Sequence, residues 1–315
     1  MQELNYTLAH GSKNLFVTID AVAQNIDTNS EDTAEYVRKV CSLFESDGLL
    51  FVEQTCDGLY AMNMYNTDGT QAEMCGNGMR IVARYADENY IHSESFTLLS
   101  GGRHYPTIRG EATLAVLSSG DSEPIPNYGV EIAVRTSSEE FTLDDSEFVA
   151  REICELHPTL RFTYLNLGNP HIVAQVESID LELLTQLGER VKELPHIFTR
   201  GVNVSLMMAM ERGKIFVATY ERGVGLTPSC GTAMTASSTT AALLGICEWE
   251  ELIEVRNRGG FVKCRCSRSQ SQELTTQLIG NATYVERGRI TESIARVVEE
   301  RFDREVEAWS RVTEE

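Results

Sequence analysis

The spacing of hydrophobic positions divides the first half of the chain into strands and helices. Short runs rich in Val, Ile and Phe, such as NLFVTIDAV and GLLFVEQT, are typical of strands. Between these runs, and again after residue 75, apolar residues recur every three or four positions, which predicts two helices. The residues that set these helical patterns are Ala34, Val37, Val40, Leu43 and Phe44, and then Met79, Val82, Ala83 and Ala86.

The second half of the chain repeats this order of strands and helices. Strand patterns occur in GVEIAVRTS, FTYLNLG and HIVAQV, and helical patterns in DLELLTQLGERVKEL and AMTASSTTAALLG. Four more strand patterns follow, and the final stretch ITESIARVVEERFDREVEAWSRVTEE predicts one or two acidic amphipathic helices. Residues 119–129, SGDSEPIPNYG, are rich in Ser, Gly and Pro, so they are the best candidate for a linker.

Two similar motifs, about half the chain apart, mark the same point in each half. EMCGNGMR contains Cys75 and PSCGTAMT contains Cys230, and each precedes a helical pattern. A duplicated unit explains both the repeated order of elements and the repeated motif. The sequence therefore predicts an α+β fold of two pseudo-symmetric domains, each with many short strands and one cysteine-led helix.

Composition and charge exclude several classes of function. The formal net charge is −20, so we expect neither nucleic acid nor an anionic membrane as a partner. The sequence has no run of about 18 apolar residues, and its first residues lack the pattern of a signal peptide. We therefore expect a cytoplasmic protein that acts on a small molecule.

The eight cysteines do not show the spacing of a metal site. The only close pair, Cys264 and Cys266, lies in the alternating run GFVKCRCSR, which predicts two free thiols on one face of a strand. Neither a G-x-G-x-x-G motif after a strand nor a phosphate-binding P-loop motif occurs. We therefore expect no metal and no cofactor.

The two cysteine motifs suggest acid–base chemistry. A cysteine at a helix N-terminus lies near unpaired N–H groups and the positive end of the helix dipole, which stabilise a thiolate and can bind a carboxylate. Alone, such a cysteine is more often core filling. Two in corresponding positions could approach one carbon from opposite sides: one removes a proton and the other returns one, which inverts the stereocentre.

Five ordered blocks give the chain a resemblance to a known family. HGSKN, NTDGTQAEMCGNGMR, LGNPHIV, GVNVS and TYERGVGLTPSCGTAM together resemble the pyridoxal-phosphate-independent amino-acid racemases, and among them the diaminopimelate epimerases. The resemblance covers nearly the whole chain. It implies two domains, each with a mostly antiparallel sheet or barrel around a central helix. On this basis we expect domains at 1–125 and 126–284, with 285–315 packed on the first, and a homodimer.

The resemblance also assigns residues to roles. Cys75 and Cys230 would be the catalytic thiols, with His171 and Glu221 setting their protonation states. The groups implied to bind an amino-acid substrate are Asn14, Asn66, Gly76, Asn77, Asn169, Asn203, Glu221, Arg222, Gly231 and Thr232. Individually these residues have simpler interpretations. Asn66 could be a turn residue, and Glu221 with Arg222 a surface ion pair.

Departures from the family pattern leave the substrate open. Leu226 stands where many members have glutamate, Ala233 and Lys13 where glycine is usual, and Gly48 where a glutamine often follows the aspartate. The first hypothesis is an epimerase that interconverts L,L- and meso-diaminopimelate. The alternatives are a racemase of another amino acid, such as histidine, and a catalytically silent binding protein built on the same fold.

Overall fold

The computed structural model describes residues 3–137, 139–143 and 147–314, and these form two compact units. The first unit contains the chain up to Val130 together with the part from Ile279 onward, and the second is Glu131–Leu278. The chain leaves the first unit within one long strand and returns to it within another.

The first unit begins with eight strands and three helices. Its strands are β1 (Leu4–Gly11), β2 (Asn14–Asp20), β3 (Gly48–Gln54), β4 (Tyr60–Asn66), β5 (Gln71–Ala72), β6 (Ser95–Ser100), β7 (Arg103–Val116) and β8 (Ser122–Val134), the last of which runs into the second unit. Its helices are α1 (Ala21–Gln24), α2 (Thr33–Phe44) and α3 (Gly76–Ala86), and α3 continues into a π-helical turn, Asp87–Ile91.

The second unit contains nine further strands and two helices. Its strands are β9 (Arg151–Glu152), β10 (Arg161–Asn166), β11 (Pro170–Val176), β12 (Asn203–Glu211), β13 (Lys214–Glu221), β14 (Gly225–Thr227), β15 (Leu252–Asn257), β16 (Gly260–Arg268) and β17 (Leu274–Asn281). Its helices are α4 (Leu181–Lys192) and α5 (Gly231–Leu243). The chain then completes the first unit with β18 (Thr283–Ile290), β19 (Arg296–Arg301) and α6 (Asp303–Glu314).

The two units share one strand topology. In the first, β1 pairs antiparallel with β2, β2 parallel with β3, and β3 antiparallel with β4; β4 then pairs antiparallel with β5 and parallel with β6, which pairs antiparallel with β7. In the second, β10 to β16 repeat these seven strands and the direction of every pairing. The helices α2 and α4 occupy equivalent connections, as do α3 and α5. The predicted duplicated α+β fold is confirmed.

In each unit the helix that follows the cysteine is central and buried. All residues of α3 are buried except Tyr85, and in α5 all are buried from Gly231 to Ala242. A helix that is buried all round must present small or apolar residues on every side, and α5 does so with Ala, Ser, Thr, Gly and Met. Around α3 the core includes Leu50, Met62 and Tyr284 from three strands.

The predicted linker at 119–129 is wrong, because most of it is strand. The turn between β7 and β8 is confined to the few residues where Leu117 N donates to Asp121 O (2.8 Å) and Gly120 has a φ of 87°. From Ser122 the chain pairs with β7, and Pro124 lies opposite Leu114. A strand tolerates proline where no ladder hydrogen bond needs the missing N–H, so composition alone misled.

The prediction of helix throughout the final stretch is also wrong in its first half. Arg296–Arg301 is β19, which pairs antiparallel with β18. The guanidinium of Arg296 donates to both carboxylate oxygens of Glu286 (2.7 and 2.5 Å), and Glu286 is only 1% exposed. Strand pairing and this ion pair override a helix-compatible sequence. Only α6 fulfils the prediction, while the prediction that Cys264 and Cys266 share the buried face of a strand is confirmed.

The helix α6 is held to the first unit by a buried ion pair. Glu305, at 8% exposure, accepts from the Arg84 guanidinium and from Tyr284 N (2.9 Å). Arg84 also donates to Ala282 O (2.7 Å) and lies 3.6 Å above the Tyr284 ring. Removing one partner of a buried pair leaves the other charge without compensation.

We therefore expect Glu305→Ala to lower the free energy of unfolding by about 3 kcal/mol. Arg304→Ala, which breaks only exposed ion pairs to Asp121 and Glu123, should cost less than about 1 kcal/mol. Urea unfolding of both variants measures the difference. Equal losses would show that the buried pair does not anchor α6.

Candidate functional site

The N-terminus of α3 carries the first half of the candidate site. Cys75 is the N-cap residue of the helix, in extended conformation, and its Sγ accepts from Gly78 N at 3.4 Å. Helix geometry leaves the N–H groups of Gly76 and Asn77 at the open end of the helix. Cys75 is half-buried, so the thiol and these donors face the same exposed end of a buried helix.

The ends of three neighbouring strands meet this helix end. Asn14 begins β2, and its Oδ1 accepts from Asn77 Nδ2 at 3.2 Å. Asn14 Nδ2 donates to Asp47 Oδ2 (2.7 Å), and the same oxygen accepts from Leu15 N (2.8 Å). Asp47 directly precedes β3, so this carboxylate fixes the start of β2 against the start of β3.

Asn66 lies at the end of β4, where Gly48 of β3 is its partner. Its N–H donates to Thr70 O (2.8 Å), its O accepts from Gly69 N (2.9 Å), and its Nδ2 donates to Thr70 Oγ1 (3.0 Å). Asn66 is thus a turn residue in this structure. Its position at the same end of the sheet as Asn14 still leaves it available to a ligand.

The N-terminus of α5 carries the second half. Cys230 is its N-cap residue and is 8% exposed, with its Sγ 3.5 Å from Thr232 Oγ1. Burial, and then the negative charge of Glu221, raise the pKa of the Cys230 thiol well above its usual value. Hydrogen bonds from the Thr232 hydroxyl and the Ala233 N–H act in the opposite direction but are weaker. At Cys230, burial and Glu221 thus outweigh the stabilisation of a thiolate by the groups at the helix N-terminus.

Two polar side chains converge on the Thr232 hydroxyl. Asn169 Nδ2 donates to Thr232 Oγ1 (3.2 Å), and His171 Nε2 lies 3.1 Å from both Thr232 Oγ1 and Asn169 Oδ1. His171 is fully buried, and burial together with the nearby charge of Arg222 lowers its pKa to about 3. The ring is therefore neutral at neutral pH. It orients Thr232 and Asn169 as a neutral hydrogen-bonding group.

Asn203 and Arg222 form a second contact within this half. Asn203 is 3% exposed at the start of β12, beside His171 of β11, and its Oδ1 accepts from Arg222 N at 3.0 Å. Arg222 Nη1 donates to Arg200 O (2.8 Å), which leaves the exposed guanidinium with further donors. The alternative of a Glu221–Arg222 surface ion pair finds no support, because the Arg222 guanidinium donates to Arg200 O. Glu221 is instead close enough to Cys230 for its charge to raise the pKa of that thiol.

The shared topology makes the two halves comparable residue by residue. The register places Asn14 and Asn169 at equivalent positions, and likewise Asn66 and Glu221, and Gly48 and Asn203. Cys75, Gly76 and Asn77 correspond to Cys230, Gly231 and Thr232. Every site residue predicted from the sequence thus lies at one of the two helix N-termini or at the strand ends beside it.

Two polar residues of the first half were not predicted from the sequence. Asp47 holds Asn14, and the buried guanidinium of Arg80 donates to Asn77 Oδ1 at 2.7 Å and to Ser12 Oγ at 3.3 Å. The available signal for Arg80 was its spacing, three residues after Asn77 on a helix. No comparable signal in the sequence marked Asp47, because its contact depends on the parallel pairing of β2 with β3.

Two kinds of feature are absent from the described parts of the chain. No group of three or more His, Cys, Asp or Glu side chains is arranged to hold a metal ion there. In the same ranges, no helix is long and apolar enough to cross a membrane.

Two buried histidines predict how stability depends on pH. Burial and the charges of Arg80 and Lys13 lower the pKa of His10 to about 4, and that of His171 is about 3. In the unfolded chain both titrate near pH 6.5, so the unfolded state binds more protons below that pH. Stability is then complete above pH 6.5 and falls as the pH decreases.

Between pH 6.5 and 5 we expect each histidine to remove about 1 kcal/mol per pH unit on average, with the slope approaching about 1.4 kcal/mol per unit at the acidic end. Urea unfolding at several pH values measures this slope. His171→Gln and His10→Asn should each flatten it, while His104→Gln, at an exposed position, should not. A slope unchanged by both buried-site variants would contradict the assignment.

Comparisons with known proteins identify the family. The family model described as diaminopimelate epimerase matches residues 6–121 and 163–285. A diaminopimelate epimerase of Clostridium acetobutylicum is 30% identical, over 99% of this chain and 94% of the relative. Another, from Ligilactobacillus salivarius, is 33% identical over 91% of this chain and 90% of the relative. These matches do not favour the histidine alternative.

Solved structures of more distant proteins have the same fold. A Bacillus anthracis protein of the PhzF family of phenazine biosynthesis aligns with a TM-score of 0.65 at 16% identity, covering 92% of this chain and 99% of that one. A hydroxyproline epimerase from Agrobacterium vitis aligns with a TM-score of 0.59 at 11% identity, covering 100% and 98%. With the two cysteine-led helices and the matched relatives, the chain belongs to the diaminopimelate epimerase family and is an isomerase.

Proposed function

We propose that the protein interconverts L,L- and meso-2,6-diaminopimelate without a cofactor, with Cys75 and Cys230 as the two proton-transferring groups. The observation that carries the proposal is the repetition of one arrangement: a cysteine N-cap on a buried central helix in each unit, flanked by equivalent polar residues. In this proposal both half-sites serve one substrate molecule, and each thiol addresses one face of its reacting carbon.

The proton inventory follows from the protonation states of the thiols. Because the pKa of Cys230 is raised, this thiol is protonated and ready to donate. In the direction of reaction in which Cys230 donates its proton, Cys75 is the thiolate that accepts the α-proton. The C–H electron pair moves into the substrate carboxylate, Cys230 delivers its proton to the opposite face of the carbon, and the configuration inverts. The two cysteines exchange roles for the reverse reaction.

The helix ends stabilise the charge that develops in this reaction. Electron density moves from the carbon into the carboxylate, and fixed N–H donors at a helix N-terminus are aimed at such charge without rearrangement. Gly76, Asn77, Gly231 and Thr232 carry these donors in the proposal. They replace the electron sink that pyridoxal phosphate supplies in other racemases.

The remaining polar residues would bind the rest of the amino acid. Arg222 has the fork geometry that suits a carboxylate, and its exposed guanidinium has donors in addition to the one used by Arg200 O. Asn14, Asn66, Asn169 and Asn203 offer amide groups to ammonium and carboxylate. Thr232 is oriented for this purpose by neutral His171. The protein would serve lysine and peptidoglycan synthesis as a cytoplasmic homodimer.

Conversion of the substrate tests the proposed activity directly. Incubated with L,L-diaminopimelate alone, the purified protein should form the meso isomer, and turnover should not respond to added pyridoxal phosphate. A panel of other amino acids, including histidine, serves as the comparison. Inversion of histidine with no reaction of diaminopimelate would contradict the proposed substrate.

Variants of the two cysteines test the proposed chemistry. Cys75→Ala and Cys230→Ala should each lower kcat by at least about 10³-fold, because either change removes a proton-transfer group. Cys41→Ala, which removes a free buried thiol in α2, is the matched control and should retain activity. Substantial turnover in either active-site variant would exclude the two-thiol mechanism.

A further inference from the structure

The buried guanidinium of Arg80 has no part in the proposed proton transfers. It lies on α3, three residues after Asn77, with 0% of its surface exposed. Arginine side chains on helices point toward the helix N-terminus, and here the guanidinium reaches back beneath the first turn. Burying a cation at this position is costly, which suggests a function that the charge itself performs.

An unbroken chain of hydrogen bonds leads from this cation to a carboxylate. Arg80 Nη2 donates to Asn77 Oδ1 (2.7 Å), Asn77 Nδ2 donates to Asn14 Oδ1 (3.2 Å), and Asn14 Nδ2 donates to Asp47 Oδ2 (2.7 Å). The two interior members are residues that the proposed function assigns to substrate binding. The two ends have opposite charge.

The ends fix the direction of both carboxamides. A guanidinium can only donate, and an ionised carboxylate can only accept. Rotating the Asn77 amide by 180° would place its NH₂ group against Arg80, and rotating the Asn14 amide would place its oxygen against Asp47. Each rotation also creates a donor–donor or acceptor–acceptor contact between the two asparagines. Only one polarity satisfies the whole chain.

We propose that Arg80 and Asp47 are positioning residues: they fix the side-chain amide of Asn77 and, through it, hold Asn14 in the one orientation able to bind substrate. This inference rests on the proposed function for the identity of the ligand. With Oδ1 committed to Asn77 and one N–H to Asp47, Asn14 presents one lone pair and one N–H in fixed directions. Substrate binding then costs no free energy for ordering the Asn14 amide, because the amide is already held in one orientation.

The backbone around Arg80 leaves space for its guanidinium. A Cβ on Gly11 would come within 2.8 Å of Arg80 Nη2, so any residue other than glycine would displace the cation. Ser12 Oγ accepts from the same Nη2 (3.3 Å), and Ser12 N is held by Asn281 Oδ1 (2.8 Å). The turn between β1 and β2 thus closes over the charge.

In the second half-site, different residues orient the equivalent polar groups. Thr235 occupies the position equivalent to Arg80, and its hydroxyl donates back to Gly231 O (2.9 Å). There His171 contacts both Asn169 Oδ1 and Thr232 Oγ1. A buried cation and a carboxylate orient the polar groups in one unit, whereas a neutral imidazole does so in the other.

A double-mutant cycle tests whether Arg80 and Asp47 act through one chain. Arg80→Met and Asp47→Ala each remove one fixed end of the chain and free the asparagine amides to rotate, so each should raise KM about tenfold. The reduction in kcat should be about threefold or less, because the lost contacts are equally strong in the ground and transition states. Since either change alone releases the chain of hydrogen bonds, the KM of the double variant should be no more than about twofold higher than that of either single variant. Additive effects on KM, or an unchanged KM in either single variant, would overturn the proposal.

Two comparisons separate polarity from packing. Arg84→Met removes another buried arginine of α3, one turn later, and its effect combined with Asp47→Ala should be additive. Arg80→Lys keeps a group that only donates, so its KM should lie closer to that of the wild type than to that of Arg80→Met. Equal damage from Lys and Met would show that shape rather than polarity matters.

A spectroscopic measurement keeps the inference testable if the proposed substrate is wrong. In protein labelled with ¹⁵N-asparagine, the side-chain NH₂ signals of Asn14 and Asn77 should show slow hydrogen exchange and one set of resonances. Arg80→Met should accelerate this exchange or double the signals, while Arg84→Met should not. Unchanged Asn14 and Asn77 signals in Arg80→Met would refute the positioning role, whatever the substrate is.

Discussion

The structure depends on burying the N-terminus of a helix inside each unit while leaving that end open to a ligand. The first N–H groups of a helix have no partners within it, so a buried helix start must be capped or must bind something. Both central helices begin with cysteine, whose sulfur is a weaker acceptor than the oxygen of Ser, Thr or Asp. Gly76 and Gly231 follow, and the absence of a side chain there keeps the backbone donors accessible. The same residue choice thus places a thiol beside backbone N–H groups that have no partner within the helix.

Duplication of this arrangement makes the two half-sites equivalent in topology but not in electrostatics. In the first unit a buried arginine lies behind the helix start, and an aspartate holds Asn14. In the second, Cys230 lies beside Glu221, and a neutral histidine orients Thr232. An acid–base pair needs one group that donates while the other accepts, and different surroundings let two identical thiols differ. The sheets that carry these groups can stay alike because the differences are confined to helix starts and strand ends.

Much of the fold could be predicted from the sequence because its signals are local. The periodic spacing of Val37, Val40 and Phe44 identified α2, and the repeated cysteine motif identified the duplication and both central helices. The errors arose where tertiary contacts decide the structure. Strand pairing with β18 and the ion pair to Glu286 make Arg296–Arg301 a strand, and pairing with β7 makes a strand of a proline-containing segment. Similarly, the resemblance supplied the candidate site residues, but not Asp47 or Arg80, whose contacts form only after folding. The raised pKa of Cys230 likewise depends on burial, which no sequence motif reports.

The central claim is that two different thiols act on opposite faces of one carbon. The most direct measurement is the early time course of L,L-diaminopimelate conversion in D₂O, with the label at the inverted carbon read separately in substrate and product. If one group removes the proton and a second, solvent-equilibrated group returns one, deuterium appears in the first meso product while recovered L,L substrate remains unlabelled. Equal early labelling of both pools, or product without label, would mean that a single group carries the proton, and the two-thiol account would be wrong.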